Sequence, residues 1–465
     1  MRSIIGATMK SNILANPFRL KQEGIFTDKM IASLLIPILI EEIMIAVITI
    51  ADTAMVASVG ETAVAGISLV ATVNNLIKQM LVALATGCGV VIAQYIGKKD
   101  LTEAGNAMKT GLYSILFLSF SVSLVSFIFK RSFLSAMFGH VEEDVFKNAL
   151  LYFSLSLVSY PFLAIYHVGA ASFRAMGNSR IPMFCSFMMM GMDLLIKAIL
   201  IYGFKIGVAG AGISTITATA FVSGIMLLFM TSYKNTVRIK DIIKINVDFP
   251  MIKRILGIGI PNSIEKGFFQ FGLLILQRLT ASFGTAALAA NAIAKSLTPI
   301  SYTLGATFSL GIINIVGQCM GAKKTEQAVM YTKHMLKINY ILGFIVNACC
   351  IIFAPAILKG YNLSEEAYKL SYIVFSMYCT GSMIIYPLST VLPFALRGAG
   401  DTKFTMMVST ISMFGARIGL AYVFARGMGM GLIGVWLSMV TEWIAKGIVF
   451  LLRFNGGKWK EIKVV

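Results

Sequence analysis

The chain has 465 residues, 57% of them hydrophobic and only 13% charged, with a mean hydropathy of +0.81. A water-soluble globular chain is roughly a quarter charged, so this composition excludes an ordinary soluble domain and implies a membrane protein. A formal net charge of +19 would suggest a nucleic-acid partner on a soluble protein; here the positive-inside bias accounts for it, and no nucleic acid is expected.

Residues 1–26 carry scattered charges and no continuous apolar core, so no cleavable signal peptide is expected. Twelve apolar segments follow, at about 31–56, 64–95, 105–129, 148–172, 182–204, 209–232, 256–282, 286–318, 334–356, 368–393, 404–425 and 430–452. About 20 helical residues cross a hydrocarbon core of roughly 30 Å, so each reads as a transmembrane helix. Six lie on either side of a polar stretch containing Lys234, Arg238, Lys240, Lys244, Lys253 and Arg254. The expected organisation is an N-terminal segment 1–30, an N-lobe 31–232, a linker 233–254, a C-lobe 255–452 and a tail 453–465.

An even number of spans puts both termini on one side. Lys and Arg crowd the termini and the loops after even-numbered spans. The loops after odd-numbered spans hold only Lys130, Arg131, Lys147, Lys205, Lys359, Lys369 and Arg426. That bias predicts a multi-pass protein of the cell (inner) membrane with both termini cytoplasmic.

The two halves are copies. Pro37, Glu41, Gly60, Gly87, Gln94, Gly97, Lys99 and Ala104 recur 224 residues later as Pro261, Glu265, Gly284, Gly311, Gln318, Gly321, Lys323 and Ala328. Six spans per copy make both enter the membrane in the same direction. The expected fold is therefore an all-α polytopic membrane protein. Its twelve transmembrane helices form two six-helix bundles related by a pseudo-two-fold along the membrane normal, with a substrate site between them. A second matched pair, ASFRAMGNSRIP and FALRGAGDTKFT, places Arg174 and Arg397 at turns where a cation can meet exposed helix carbonyls.

No Walker loop, GxGxxG, HExxH or GxSxG occurs, so neither ATP coupling nor enzymatic chemistry is expected. His140, His167 and His334 are too scattered for a zinc site, and the six cysteines read as small buried residues.

Asp52 breaks the repeat, since its counterpart is Leu276. A carboxylate near the centre of a spanning helix costs roughly 2.5–3.5 kcal/mol on the insertion scale, so it faces protein, a partner or a wet cavity. It shares a helix face with Glu41, with Thr49 close by and Pro37 able to bend the helix. Carboxylate, hydroxyl and carbonyl oxygens suit a hard cation, which makes Asp52 a candidate Na⁺ ligand; a carboxylate equally carries a proton. The alternative is a helix cap or a structural pair.

At this point the sequence resembles the multidrug and toxic compound extrusion (MATE) transporters over nearly its whole length. The motifs are the proline of the first span, Asp52-Thr53 before Val59-Gly60, Gln94 with Gly97, the two arginine-glycine turns, and Gly207, Gly210 and Gly212 opening the sixth span. The DinF-like branch is one candidate subgroup. The resemblance implies an antiporter, without cofactors and expected as a monomer among membrane lipids. It would export amphipathic, often cationic, small molecules in exchange for H⁺ or Na⁺ by rocking of two lobes. A flippase or exporter of a lipid-linked or other specific metabolite in the same superfamily is the alternative.

The resemblance also marks Asp52 as the N-lobe cation site, with Thr49, Glu41, Asp193 and Glu265 as candidate coupling residues. Family members often carry a cation-binding glutamate on the seventh span, but nearer Phe269. On the fifth span relatives often carry Asn and then Asp, where this chain has Asp193 and Lys197. At i, i+4 these can pair; alternatively Lys197 is a tethered cation competing with substrate. In the second half Glu442 and Lys446 can pair likewise. Arg417 stands where the first half has Asp193. Lys197, Phe269, Lys295 and Arg417 are therefore candidate substrate-cavity residues, with an acidic N-lobe and a basic C-lobe.

Overall fold

The computed structural model describes residue 20 and residues 24–139, 142–244, 248–361 and 363–465, so most of the expected segment 1–30 and His140 lie outside the described residues. The described chain is helical and has no strand. In order, the helices are α1 (Asp28–Ala57), α2 (Glu61–Gly97), α3 (Leu101–Ile128), α4 (Lys130–Phe138), α5 (Glu143–Ala175), α6 (Arg180–Gly203) and α7 (Gly207–Thr231). The second half has α8 (Phe249–Ala281), α9 (Thr285–Gly321), α10 (Thr325–Lys359), α11 (Glu365–Ile384), α12 (Tyr386–Gly398), α13 (Thr402–Gly427) and α14 (Gly431–Asn455).

Ten of these are long and apolar enough to cross a bilayer singly, and α11 with α12 makes an eleventh span bent by 50°. The twelfth is α8, 33 residues long but charged at Lys253, Arg254, Glu265, Lys266 and Arg278. The bend in the span expected straight over 368–393 falls at Ile385, where Pro387, in the first turn of α12, cannot donate to the turn before it. The short α4 was not expected; it packs on the first half through Leu134, which is buried in its core, and Lys130, whose Nζ donates to Ser154 Oγ at 2.9 Å. α8 begins inside the expected linker because Asp248 caps it, accepting from Met251 N at 3.0 Å, with Pro250 in its first turn. Trp459, in the tail, is buried, stacked on Phe454.

The duplication is written in the backbone. Lys99 and Lys323 both take left-handed φ, 65° and 57°, and the next amides bond back to Tyr95 O (3.0 Å) and Cys319 O (2.9 Å). Ile199–Gly203 and Val423–Gly427, also 224 apart, are both π-helical.

Large apolar side chains such as Ile50, Phe117, Leu228 and Ile352 are exposed around the outside, as a lipid-facing surface requires. Five of the six cysteines are buried as expected; Cys349 is exposed, on the face of α10 with Ile345 and Ile352.

The lobes meet through a self-complementary surface at the termini-bearing end, where residue 24 and the C-terminal tail lie. Gln94 Nε2 donates to Gly398 O at 3.1 Å, and its counterpart Gln318 Nε2 donates to Ala175 O at 2.7 Å. A Cβ on Gly97 would strike Gln318 O, and one on Gly321 would strike Gln94 O. Gly87 lies against Gly259, and its counterpart Gly311 against Leu35. Each contact maps onto the other when the halves are exchanged, which is the signature of a two-fold axis. The first halves of α1 and α8 cross this surface. Ile31, Leu34 and Ile38 pack in the core of the second half, and Met251, Ile255 and Ile258 in that of the first. Pro37 and Pro261 stand where each helix returns to its own lobe.

Candidate functional site

Beyond the interface the lobes part. On α2 an exposed stripe runs through Ser68, Ala71, Thr72, Asn75 and Lys78; on α9 the matching stripe runs through Ala292, Lys295, Ser296 and Tyr302. Polar stripes at membrane depth are tolerated only along water, so the two line a wet cleft open at the end away from the termini. Ser263 Oγ donates to Met80 O at 2.9 Å and closes its floor.

One wall carries Asp52 of α1 and Asp193 and Lys197 of α6. The Lys197 side chain, only 4% exposed, bridges the two carboxylates: it bonds Asp52 Oδ1, and Asp193 Oδ2 at 2.9 Å. Ser214 and Thr215 of α7 donate to Asp193 Oδ1 at 2.8 and 3.1 Å. The pair expected at i, i+4 therefore forms, but Lys197 does not line the cleft as expected, because two acids enclose it. Asp52 keeps 41% exposure. Thr49 does not reach it; its hydroxyl donates to Ile45 O at 2.7 Å.

Glu41 and Glu265 sit elsewhere. Arg174 Nη2 lies 2.7 Å from Glu41 Oε2, with Tyr166 OH 3.2 Å from Oε1. Arg397 Nη2 lies 2.6 and 2.7 Å from the two oxygens of Glu265. Each turn arginine thus meets a carboxylate, not the helix-end carbonyls expected of it, and neither glutamate joins Asp52. A cavity of about 30 Å³ beside Arg174 and His167, roughly one or two waters in size, lies between the lobes.

The opposite wall is built around Glu442, 1% exposed. Lys446 Nζ bonds its Oε1 at 2.9 Å, Ser412 Oγ donates to it at 3.2 Å, and Arg417 Nη1 stands 3.8 Å from its Oε2. Arg417 lies over the Phe269 ring, 5.4 Å from its centroid.

The MatE family model matches residues 37–199 and again 261–423, the two copies of the repeat. The chain belongs to the MatE family. Among its relatives are the uncharacterized transporter YisQ of Bacillus subtilis (25% identical over 92% of this chain and 94% of YisQ) and the probable multidrug resistance protein NorM of Thermotoga maritima (23%, over 96% of each). An outward-facing multidrug resistance MATE transporter superposes with a TM-score of 0.86 at 20% identity, covering 96% of this chain and 98% of its own. This MatE protein is accordingly a multi-pass membrane transporter of small molecules and not an enzyme.

For the MatE chain, sequence reasoning passed over Ser214, Thr215 and Lys78. Lys78 was legible in principle, as a lone lysine inside an apolar span. The hydroxyls were not, since only the packing of α7 on α6 brings them to Asp193. Among the described residues no cluster of three or more His, Cys, Asp or Glu side chains could hold a metal ion. Where a bare cation would lie between Asp52 and Asp193, the Lys197 ammonium already lies.

Proposed function

We propose that this MatE protein is a secondary active exporter of amphipathic small molecules, driven by inward H⁺ or Na⁺, with Asp52, Asp193 and Lys197 as its coupling centre. The observation that carries the proposal is the Lys197 ammonium enclosed by two carboxylates, one of which opens on the cleft.

Asp52 and Asp193 share the Lys197 ammonium, so Asp52, which opens on the cleft, has no cation of its own. A proton or Na⁺ entering from the cleft at Asp52 neutralises it and frees Lys197 to remain on Asp193 alone. The α1–α6 bridge is then broken. Because α1 begins in the other lobe's core and turns at Pro37, release of its far half changes how the lobes meet. In this scheme Thr49, Glu41 and Glu265 bind no ion; the two glutamates hold Arg174 and Arg397 at the turns. The positive-inside bias places the closed, termini-bearing end in the cytoplasm, so the cleft opens outward and the ion enters where it is abundant.

The test is ethidium movement in proteoliposomes under imposed H⁺ and Na⁺ gradients. Asp52→Asn should abolish gradient-driven transport while leaving ethidium binding in place. Wild-type rates from that variant under either gradient would refute the assignment.

A further inference from the structure

The cleft is not electrically symmetrical. On the N-lobe wall two acids, Asp52 and Asp193, face two lysines: Lys197 within the bridge, and Lys78 within the field of both acids. On the C-lobe wall a single acid, Glu442, serves a run of cations. Lys446 and Arg417 flank it, Lys295 lies in the field of Arg417, and Lys266 lies in the fields of Arg397, Glu265 and Lys446. Glu265, the other nearby acid, is taken on both oxygens by Arg397. Neither Lys266 nor Lys295 forms an ion pair among the described residues.

Arg417 is the centre of this excess. It is 9% exposed, its side chain makes no hydrogen bond among the described residues, and its Nε is buried without a partner. At 3.8 Å its contact with Glu442 is too long for a hydrogen bond. A guanidinium carries five donors in a planar fork suited to an oxyanion, and leaving them unmade in a buried site is costly. Lys295, the one charged residue of α9, stands on the exposed cleft stripe within the field of Arg417. Phe269, stacked on Arg417, adds an apolar surface beside the charge.

We propose that the C-lobe wall is an anion subsite, in which Arg417 and Lys295 bind the carboxylate or comparable oxyanion of an amphipathic substrate whose apolar part lies against Phe269. This rests on the exporter reading and extends its substrate class: the cleft also takes molecules that carry a negative group, and the acids of the N-lobe are left to the driving cation. Separation of the two charges onto opposite walls allows ion and substrate to bind without competing for one carboxylate.

The full chain, purified and returned to phosphatidylcholine vesicles so that no anionic headgroup is present, is titrated with a carboxylated coumarin, its uncharged methyl ester and ethidium. The carboxylate should bind at least about tenfold more tightly than the ester, the ratio that a charge-assisted hydrogen bond supplies. Arg417→Gln and Lys295→Gln should each weaken the carboxylate about tenfold and leave ethidium unchanged, whereas Arg417→Lys, which keeps the charge but not the fork, should fall between Arg417→Gln and the wild type and shows that the wall still folds. Equal binding of acid and ester, or equal weakening of the carboxylate and ethidium by the variants, would overturn the subsite. If the wild type binds the carboxylate selectively but no gradient moves either dye, the exporter reading fails and the subsite stands.

Discussion

Removing the Glu265 carboxylate separates a structural role from an ion-binding one. Its side chain is 12% exposed and that of Arg397 5%, and Arg397 also donates from Nε to Thr405 Oγ1 at 3.3 Å. Two unit charges about 4 Å apart at an effective dielectric of about 20 attract by roughly 4 kcal/mol. Loss of one partner strands the other, a cost measured elsewhere at about 3–5 kcal/mol. Glu265→Ala should therefore lose about 3–5 kcal/mol of stability, read from an SDS-unfolding titration of the purified chain. Glu265→Leu combined with Arg397→Met should recover most of it, since an apolar pair of similar volume replaces a buried ion pair at little net cost. Dye transport per folded molecule should stay close to wild type. If Glu265→Ala unfolds with the wild type yet loses its dependence on the driving ion, the pair is part of the coupling centre and the structural account is wrong.

Lys197→Met should leave Asp52 and Asp193 facing each other without a cation. NaCl should then raise the melting midpoint of this variant relative to choline chloride, with about 2.7 kcal/mol gained at a hundredfold excess over the dissociation constant; a midpoint indifferent to Na⁺ in the variant would contradict the enclosed-ammonium picture. At the lobe interface, Gly321→Ala and Gly97→Ala should each force the termini-bearing end apart, because the new methyl meets a backbone carbonyl that cannot rotate away. Spin-label distances across that end should lengthen and transport should fall; unchanged distances would place the moving surface elsewhere.

What the sequence disclosed was whatever is local or periodic. The 224-residue repeat, the Asp193–Lys197 pair and the Glu442–Lys446 pair need only chain spacing and helix geometry, and all are found. Contacts that depend on packing stayed hidden. Glu41 meets Arg174 133 residues away, and Asp52 meets Lys197 145 residues away. The Glu41–Arg174 partnership did leave a trace, because both members recur, as Glu265 and Arg397, at nearly one offset. The bend at Ile385 and the π-helical stretches were illegible for another reason: hydropathy reports where a span lies, not how its backbone turns.

The repeat is kept and broken in different places, and the pattern carries physical meaning. At the termini-bearing end Gln94 and Gln318 make equivalent bonds, and Gly97 and Gly321 make equivalent close approaches. There a change in one half must be met by the other, because each half is the other's binding surface. In the cleft the constraint lapses, since the walls do not touch each other. Asp193 becomes Arg417, Asp52 becomes the buried Leu276, and Lys197 becomes the buried Ala421. A rocking pair of bundles needs equivalent contacts at the surface on which it rocks. Under the proposed mechanism it gains nothing from equivalent charges where ion and substrate would bind, and two walls of unlike charge would let each lobe hold a different passenger.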